Sequence, residues 1–167
     1  FAAVRFPLFD DQGEVASVGV ISIDVTREVQ AEHALRDNEQ RLRLILESTG
    51  EGIYAVDLEG RCTLCNPTAA RILGYENPED LLGHDVHALI HHSYADGSSY
   101  PVAECRVHRA IASMAPMYAD DEVFWRRDKR AIPVAFRSNP IMRDGKVVGA
   151  VVSFSDISER KRSEAWL

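Results

Sequence analysis

The chain has 167 residues and is 46% hydrophobic and 8% aromatic, enough for one packed core and too apolar for a disordered tail. Its 26 acidic against 19 basic residues, a net charge of −7, speak against a nucleic-acid surface and against direct contact with an anionic membrane. No apolar run approaches the ~20 residues that span a bilayer, and three cysteines suit a reducing, cytoplasmic compartment better than a disulfide scaffold.

In chain order, a repeat comes first. Residues 7–24 read as an earlier copy of residues 140–156: each has a Pro, two apolar residues, an Asp/Gly turn, a β-rich run and a closing Asp. A polar, helix-favouring stretch follows each copy, and the spacing makes the repeat unit a domain and not a solenoid turn. With Phe1 in first place and no leader pattern, we expect a piece of a longer chain. The expected organisation is residues 1–26 as the last strands of an upstream domain, 27–49 as a linker helix, 50–157 as one complete domain of the same kind, and 158–167 as the start of an exit helix.

Residues 15–24 follow the Asp10–Gly13 turn as the second arm of a hairpin. Residues 27–48 hold no Gly or Pro and favour a helix. Along it Leu35, Leu42 and Thr49 recur every seven positions, with Ala31, Asn38 and Ile45 between them. We read this as a signalling helix that pairs with its copy in a homodimer; the alternative is a helix lying on its own domain. Gly50-Glu-Gly52 ends it. Residues 53–57 and 61–66 form a hairpin around Leu58-Glu-Gly60. Pro67 opens a short helix that Gly74 stops. Residues 78–83 and 85–92 read as helical turns, 93–101 as a mobile polar loop, and 102–114 as a longer helix. Strands are expected at 121–127, 131–138 and 146–156. The fold class is therefore α+β, with a five-stranded antiparallel sheet and helices on one face, preceded by a linker helix.

The chemistry-bearing residues are few. Cys62-Thr-Leu-Cys65 and Cys105-Arg-Val-His108 together have the spacing of a zinc set. On a strand, however, residues three apart face opposite sides, so Cys62 and Cys65 cannot share an ion and no metal site is expected. His84, His87 and His91, with His92 beside them, fall on one face if their helix is continuous, which the expected short turns oppose. His33 is followed by Ala-Leu-Arg-Asp and lacks the pattern of a phosphoacceptor. The glycines are scattered and form no phosphate loop. No catalytic residue is expected.

Asn66-Pro-Thr-Ala-Ala-Arg-Ile-Leu-Gly-Tyr75, followed by Asp80-Leu-Leu-Gly83, resembles the front half of a PAS domain. Phe124-Trp-Arg-Arg-Asp128, Ile132-Pro-Val134, residues 145–154 and Asp156-Ile-Ser-Glu-Arg-Lys161 resemble its rear half, the PAC motif. The resemblance runs from residue 42 to 161, and residues 1–28 resemble the end of a preceding PAS domain. The chain departs from the family at the turn that usually reads Arg/Lys-Asp-Gly, where Lys129 stands in the Gly place.

The resemblance implies a sensory or dimerisation module of a multidomain signalling protein, of sensor-kinase or cyclic-dinucleotide-enzyme type. Such a module is regulatory, with catalysis in a separate domain and neighbouring PAS and effector domains as partners. The family cups a small molecule, or nothing, between sheet and helices. The expected pocket walls are Val107, His108, Ile111, Phe124, Val134 and Phe136; the alternative is that the apolar ones only fill the core. The cofactor stays unknown. In a haem-bearing redox or gas sensor, one alternative, His108 is the candidate ligand; a ligand-free dimerisation spacer is the other. The flavin photoreceptor subclass is not matched, since Ala103-Glu-Cys-Arg-Val-His108 shares only Cys-Arg with its reactive stretch. The resemblance assigns the signal relay to Asp156, Ile157, Ser158, Glu159 and Arg160, where Asp or Ser accepts backbone N–H groups at the helix start.

Overall fold

The computed structural model describes residues 1–164, so the last three positions of the expected exit helix lie outside the described residues. The chain divides into two units, Phe1–Ile45 and Leu46–Leu167.

In the first unit β1 (Ala2–Phe9) and β2 (Val15–Ile23) pair antiparallel. The Asp10 carboxylate closes their turn by accepting the N–H groups of Gln12 and Glu14 at 2.9 Å each. Asp24 then caps α1 (Thr26–Ser48) by accepting the Thr26 N–H at 3.0 Å. No residue of α1 is buried, and Leu35 and Leu42 of the heptad seam stay exposed.

The second unit is built on a five-stranded antiparallel sheet with strand order β4-β3-β7-β6-β5. Its strands are β3 (Gly52–Val56), β4 (Cys62–Cys65), β5 (Met117–Trp125), β6 (Ala131–Arg143) and β7 (Lys146–Asp156). Between β4 and β5 lie α2 (Pro67–Leu73), a 3-10 turn at Pro78–Asp80, α3 (Val86–Ile90), a second 3-10 turn at Val102–Glu104, and α4 (Arg106–Ser113). A short helix, α5 (Ser158–Glu164), leaves β7. The α+β sheet expected from the sequence is thus the observed one.

Local chemistry explains these bounds. Pro67 sits in the first turn of α2, where its missing N–H costs nothing, and Gly74 ends it in the left-handed conformation at φ 79°. The helix expected at 102–114 is broken instead, because Cys105 is extended (φ −59°, ψ 120°) and serves as the N-cap of α4. Likewise Asp85 caps α3 and leaves His84 outside it. In the Asp128–Arg130 turn Lys129 takes the left-handed conformation at φ 64°, where glycine would be unstrained.

Tyr54, Phe124, Phe136 and Phe154 project from four neighbouring strands into one cluster, each no more than 1% exposed. Their rings pack at tilted, edge and stacked angles with centroids 5.2–6.4 Å apart. Burying each such side chain contributes roughly 1.5–3 kcal/mol, so these four anchor the helices to the sheet.

Candidate functional site

Of the six expected pocket residues, the structure places Phe124, Val134 and Phe136 fully inside the packed core, with Ile111 packed against its edge. Val107 and His108 do line a space, but it is only about 10 Å³, the size of one water. A pocket for a drug-sized or larger ligand takes roughly 300–1,000 Å³. Haem therefore does not fit beside His108 without dismantling the core.

What borders that space is a cluster that the spacing patterns divided between two motifs. His87 on α3, His91 at the C-terminal end of α3 and Cys105 at the start of α4 bring one nitrogen or sulfur each to within 4.8 Å of one another. They are 8%, 2% and 1% exposed. His91 Nδ1 lies 3.3 Å from Cys105 Sγ. Its Nε2 donates to Glu122 Oε2 at 2.5 Å, and Glu122 Oε1 accepts from Arg106 Nε at 2.9 Å and from the Tyr100 hydroxyl at 3.2 Å. His87 Nε2 donates to the Tyr100 carbonyl at 2.9 Å.

These contacts set the charges. Burial works to raise the Cys105 thiol, but the His87 and His91 rings outweigh it and bring it down to about 6. Burial likewise opposes a charged His91, yet the Cys105 sulfur and the Glu122 carboxylate lift it to about 9. Both shifts favour a thiolate beside an imidazolium, and the Glu122 carboxylate with Arg106 behind it supports the imidazolium side of the pair. The other two thiols differ. Burial pushes Cys62 up to about 11 and Cys65 up to about 12, so both stay protonated.

The argument that Cys62 and Cys65 face opposite sides fails on geometry. The β3–β4 register shifts between Ala55 and Val56, which inserts one residue and turns both cysteines toward the core. Even so, neither joins the His87–His91–Cys105 group. The loop expected to be mobile at 93–101 is held down: the Trp125 indole N–H donates to the Ser93 carbonyl at 2.8 Å, and Tyr100 is buried.

A second bulge positions Glu122. On β5, Ala119 pairs with Phe136 and Glu122 with Val134, so β5 carries one extra residue. The slip moves Glu122 to the inward face. Its neighbours turn outward, where Asp121 meets Arg106 at 2.7 Å and Asp120 meets Arg160 of α5 at 3.5 Å. Three consecutive acids thus touch the buried cluster, α4 and the exit helix. Sequence reading missed Tyr100, Asp120, Asp121 and Glu122; the available signal was an unbroken acidic triplet inside a β-rich segment. An open groove of about 490 Å³ leads from solvent to Glu122, past Tyr94, Arg106 and Arg109.

The five residues assigned to the relay sit at the junction of β7 and α5. The Asp156 carboxylate accepts the Ser158 N–H at 2.8 Å and its hydroxyl at 2.5 Å. Ile157 is buried and its N–H donates to the Pro133 carbonyl of β6 at 3.0 Å. Glu159 is exposed in the first turn of α5, and Arg160 reaches Asp120 and Glu164.

Comparison with known proteins gives a consistent picture. A family model described as "PAS fold" matches residues 40–157. The chain is 26% identical over 156 residues to the probable diguanylate cyclase DgcE of Escherichia coli, covering 93% of this chain and 14% of that protein. It is 29% identical over 150 residues to the signal transduction histidine-protein kinase AtoS of Escherichia coli, covering 88% of this chain and 22% of that one. The chain therefore spans less than a quarter of the length of either relative. Among solved structures, a PAS domain of a protein from Colwellia psychrerythraea superposes with a TM-score of 0.60 at 20% identity, over 73% of this chain and 98% of that one.

Proposed function

The chain belongs to the PAS family, and from that premise we propose that it is the sensory and dimerisation module of a longer signal-transduction protein. It relays the state of its interior, or strain from upstream, through its last strand to the exit helix. The effector is a kinase or cyclic-dinucleotide enzyme domain elsewhere in the parent chain, as the names of the two relatives suggest. Residues 1–26 are the last strands of a preceding PAS domain. Two copies pair through α1, which exposes Leu35 and Leu42. We place the module in the cytoplasm with no direct membrane or nucleic-acid contact; no helix among the described residues is long and apolar enough to cross a membrane.

The observation that carries this reading is the acidic bulge of β5. Glu122 holds the buried His91, while Asp120, two residues back, meets Arg160 on the exit helix. A change that pulls Glu122 inward bears directly on the bulge between Ala119 and Glu122, which also sets the position of Asp120. The Asp120–Arg160 contact is exposed and worth at most about 1 kcal/mol. Such a contact suits a bias on a helix that must have two arrangements.

A double-mutant cycle tests the relay. Glu122→Gln should change amide exchange in the first turn of α5, at Lys161 for instance, by up to about fivefold, the equivalent of 1 kcal/mol. In an Arg160→Ala background the same change should have no effect there. Strictly additive effects, or an α5 that ignores Glu122→Gln, would overturn the relay.

A further inference from the structure

The His87–His91–Cys105 cluster has a feature that the relay does not use. His87 Nε2 donates to a backbone carbonyl, which can only accept, so its proton is on Nε2. Its other nitrogen, Nδ1, is buried and makes no hydrogen bond of good geometry. An unpartnered polar nitrogen in so dry a place is costly unless something occupies it. His91 repeats the pattern, with Nε2–H held by the Glu122 carboxylate and Nδ1 turned to the Cys105 sulfur. Both rings therefore have one nitrogen fixed by an oxygen acceptor, and each ring brings a nitrogen to within 4.8 Å of the same sulfur. That is the outer-shell arrangement that orients histidines on a metal ion, a carboxylate for one ring and a main-chain carbonyl for the other.

We propose that His87 Nδ1, His91 Nδ1 and Cys105 Sγ form a binding site for one borderline-soft d-block cation of the Zn²⁺ type. Two imidazoles and a thiolate exclude Mg²⁺ and Ca²⁺, which take oxygen ligands. Three protein ligands leave a tetrahedral ion with its fourth position open. The 10 Å³ space beside the cluster, which His108 also lines, is large enough for one water there. Binding forms two metal–nitrogen bonds and one metal–sulfur bond and releases to solvent the single proton shared by Cys105 and His91; no electrons are transferred. The fourth position gives the module a place for a small donor ligand at the centre of its fold. This inference stands on the cluster's geometry alone and holds whether or not the β5 relay operates.

The test uses metal-free protein titrated with Zn²⁺, and with Co²⁺ as a spectroscopic probe. The expected result is one equivalent bound with a thiolate-to-cobalt charge-transfer band, and a melting temperature that rises with Zn²⁺. The band should persist in a Cys62→Ser/Cys65→Ser variant and vanish in Cys105→Ser. Glu122→Gln should weaken binding about 10–100-fold, as loss of an outer-shell partner does. Circular dichroism of the metal-free variants checks whether each one folds. If Cys105→Ser is unfolded, the wild-type band and the Cys62→Ser/Cys65→Ser control decide alone. No bound metal, a cobalt spectrum without a thiolate band, or a band that disappears with Cys62 and Cys65 overturns the proposal.

Discussion

Asn66 joins three pieces of the PAS unit through one side chain, and its removal gives a calculable loss. The residue is 2% exposed. Its Oδ1 accepts from Ala69 N–H, capping α2, and from Ile53 N–H at the start of β3, both at 2.8 Å. Its Nδ2 donates to the carbonyls of Leu46 and Glu51 at 2.9 and 3.0 Å, tying down the end of α1. Asn66→Ala deletes an N-cap, typically about 1 kcal/mol. It also strands a half-buried Ile53 N–H, about 1–3 kcal/mol. Glu51 is exposed and Leu46 partly so, so water recovers their carbonyls and little more is lost. The expected cost is about 2–4 kcal/mol, seen as a urea midpoint lower by about 1–2 M at a slope of about 2 kcal/mol/M. Asp85→Ala supplies the control, since exposed Asp85 caps α3 by one bond to Ala88 N–H at 3.2 Å and should cost about 0.5–1 kcal/mol. Equal losses at the two positions would refute the hub argument.

Three further outcomes are expected. A Cβ added at Gly149 would sit 2.1 Å from the Val56 carbonyl oxygen, so Gly149→Ala should destabilise by about 3 kcal/mol or more or separate β7 from β3; a melting temperature within 2–4 °C of wild type, the shift expected of about 1 kcal/mol, contradicts the packing. Lys129 at φ 64° is strained, so Lys129→Gly should stabilise by up to about 1 kcal/mol and Lys129→Val should destabilise; the reverse order in thermal melts would show that the turn is not left-handed. The Arg106 guanidinium beside Asp121 holds its carboxyl below the usual range. A depressed acid stabilises above its unfolded value of 3.8 and loses that contribution as pH falls through the folded value. Asp121→Asn should therefore cost up to about 1 kcal/mol at pH 7, the limit for an exposed pair, with the difference from wild type vanishing as pH drops below 3.8. A difference that persists in acid would assign the loss to packing.

How legible the fold was in the sequence follows from what encodes each part. The hairpin turns, the Pro67–Gly74 helix and the long β6–β7 ladder rest on local signals, and these stood in the sequence. So did the Asp156–Ser158 cap, a contact over two residues. The cluster was hidden for two reasons. Its members come from opposite ends of a loop, 14 residues apart for His91 and Cys105, so the Cys-x-x-His and His-x-x-His patterns each held part of it. Glu122 faces inward only because β5 carries an extra residue, and the same device at β4 defeated the alternation argument for Cys62 and Cys65. Periodicity along one strand cannot report a bulge, which exists only in the pairing of two strands.

The relay requires above all that the exit helix be continuous with the sheet and not a frayed tail. Amide hydrogen exchange at Ile157 and Lys161, compared with Phe154 in β7, tests this most directly. Ile157 N–H is bonded to Pro133 O and Lys161 N–H to Ile157 O, so both should be protected, Ile157 within about tenfold of Phe154. Exchange of both at the rate of an unstructured peptide, while Phe154 stays protected, would contradict it.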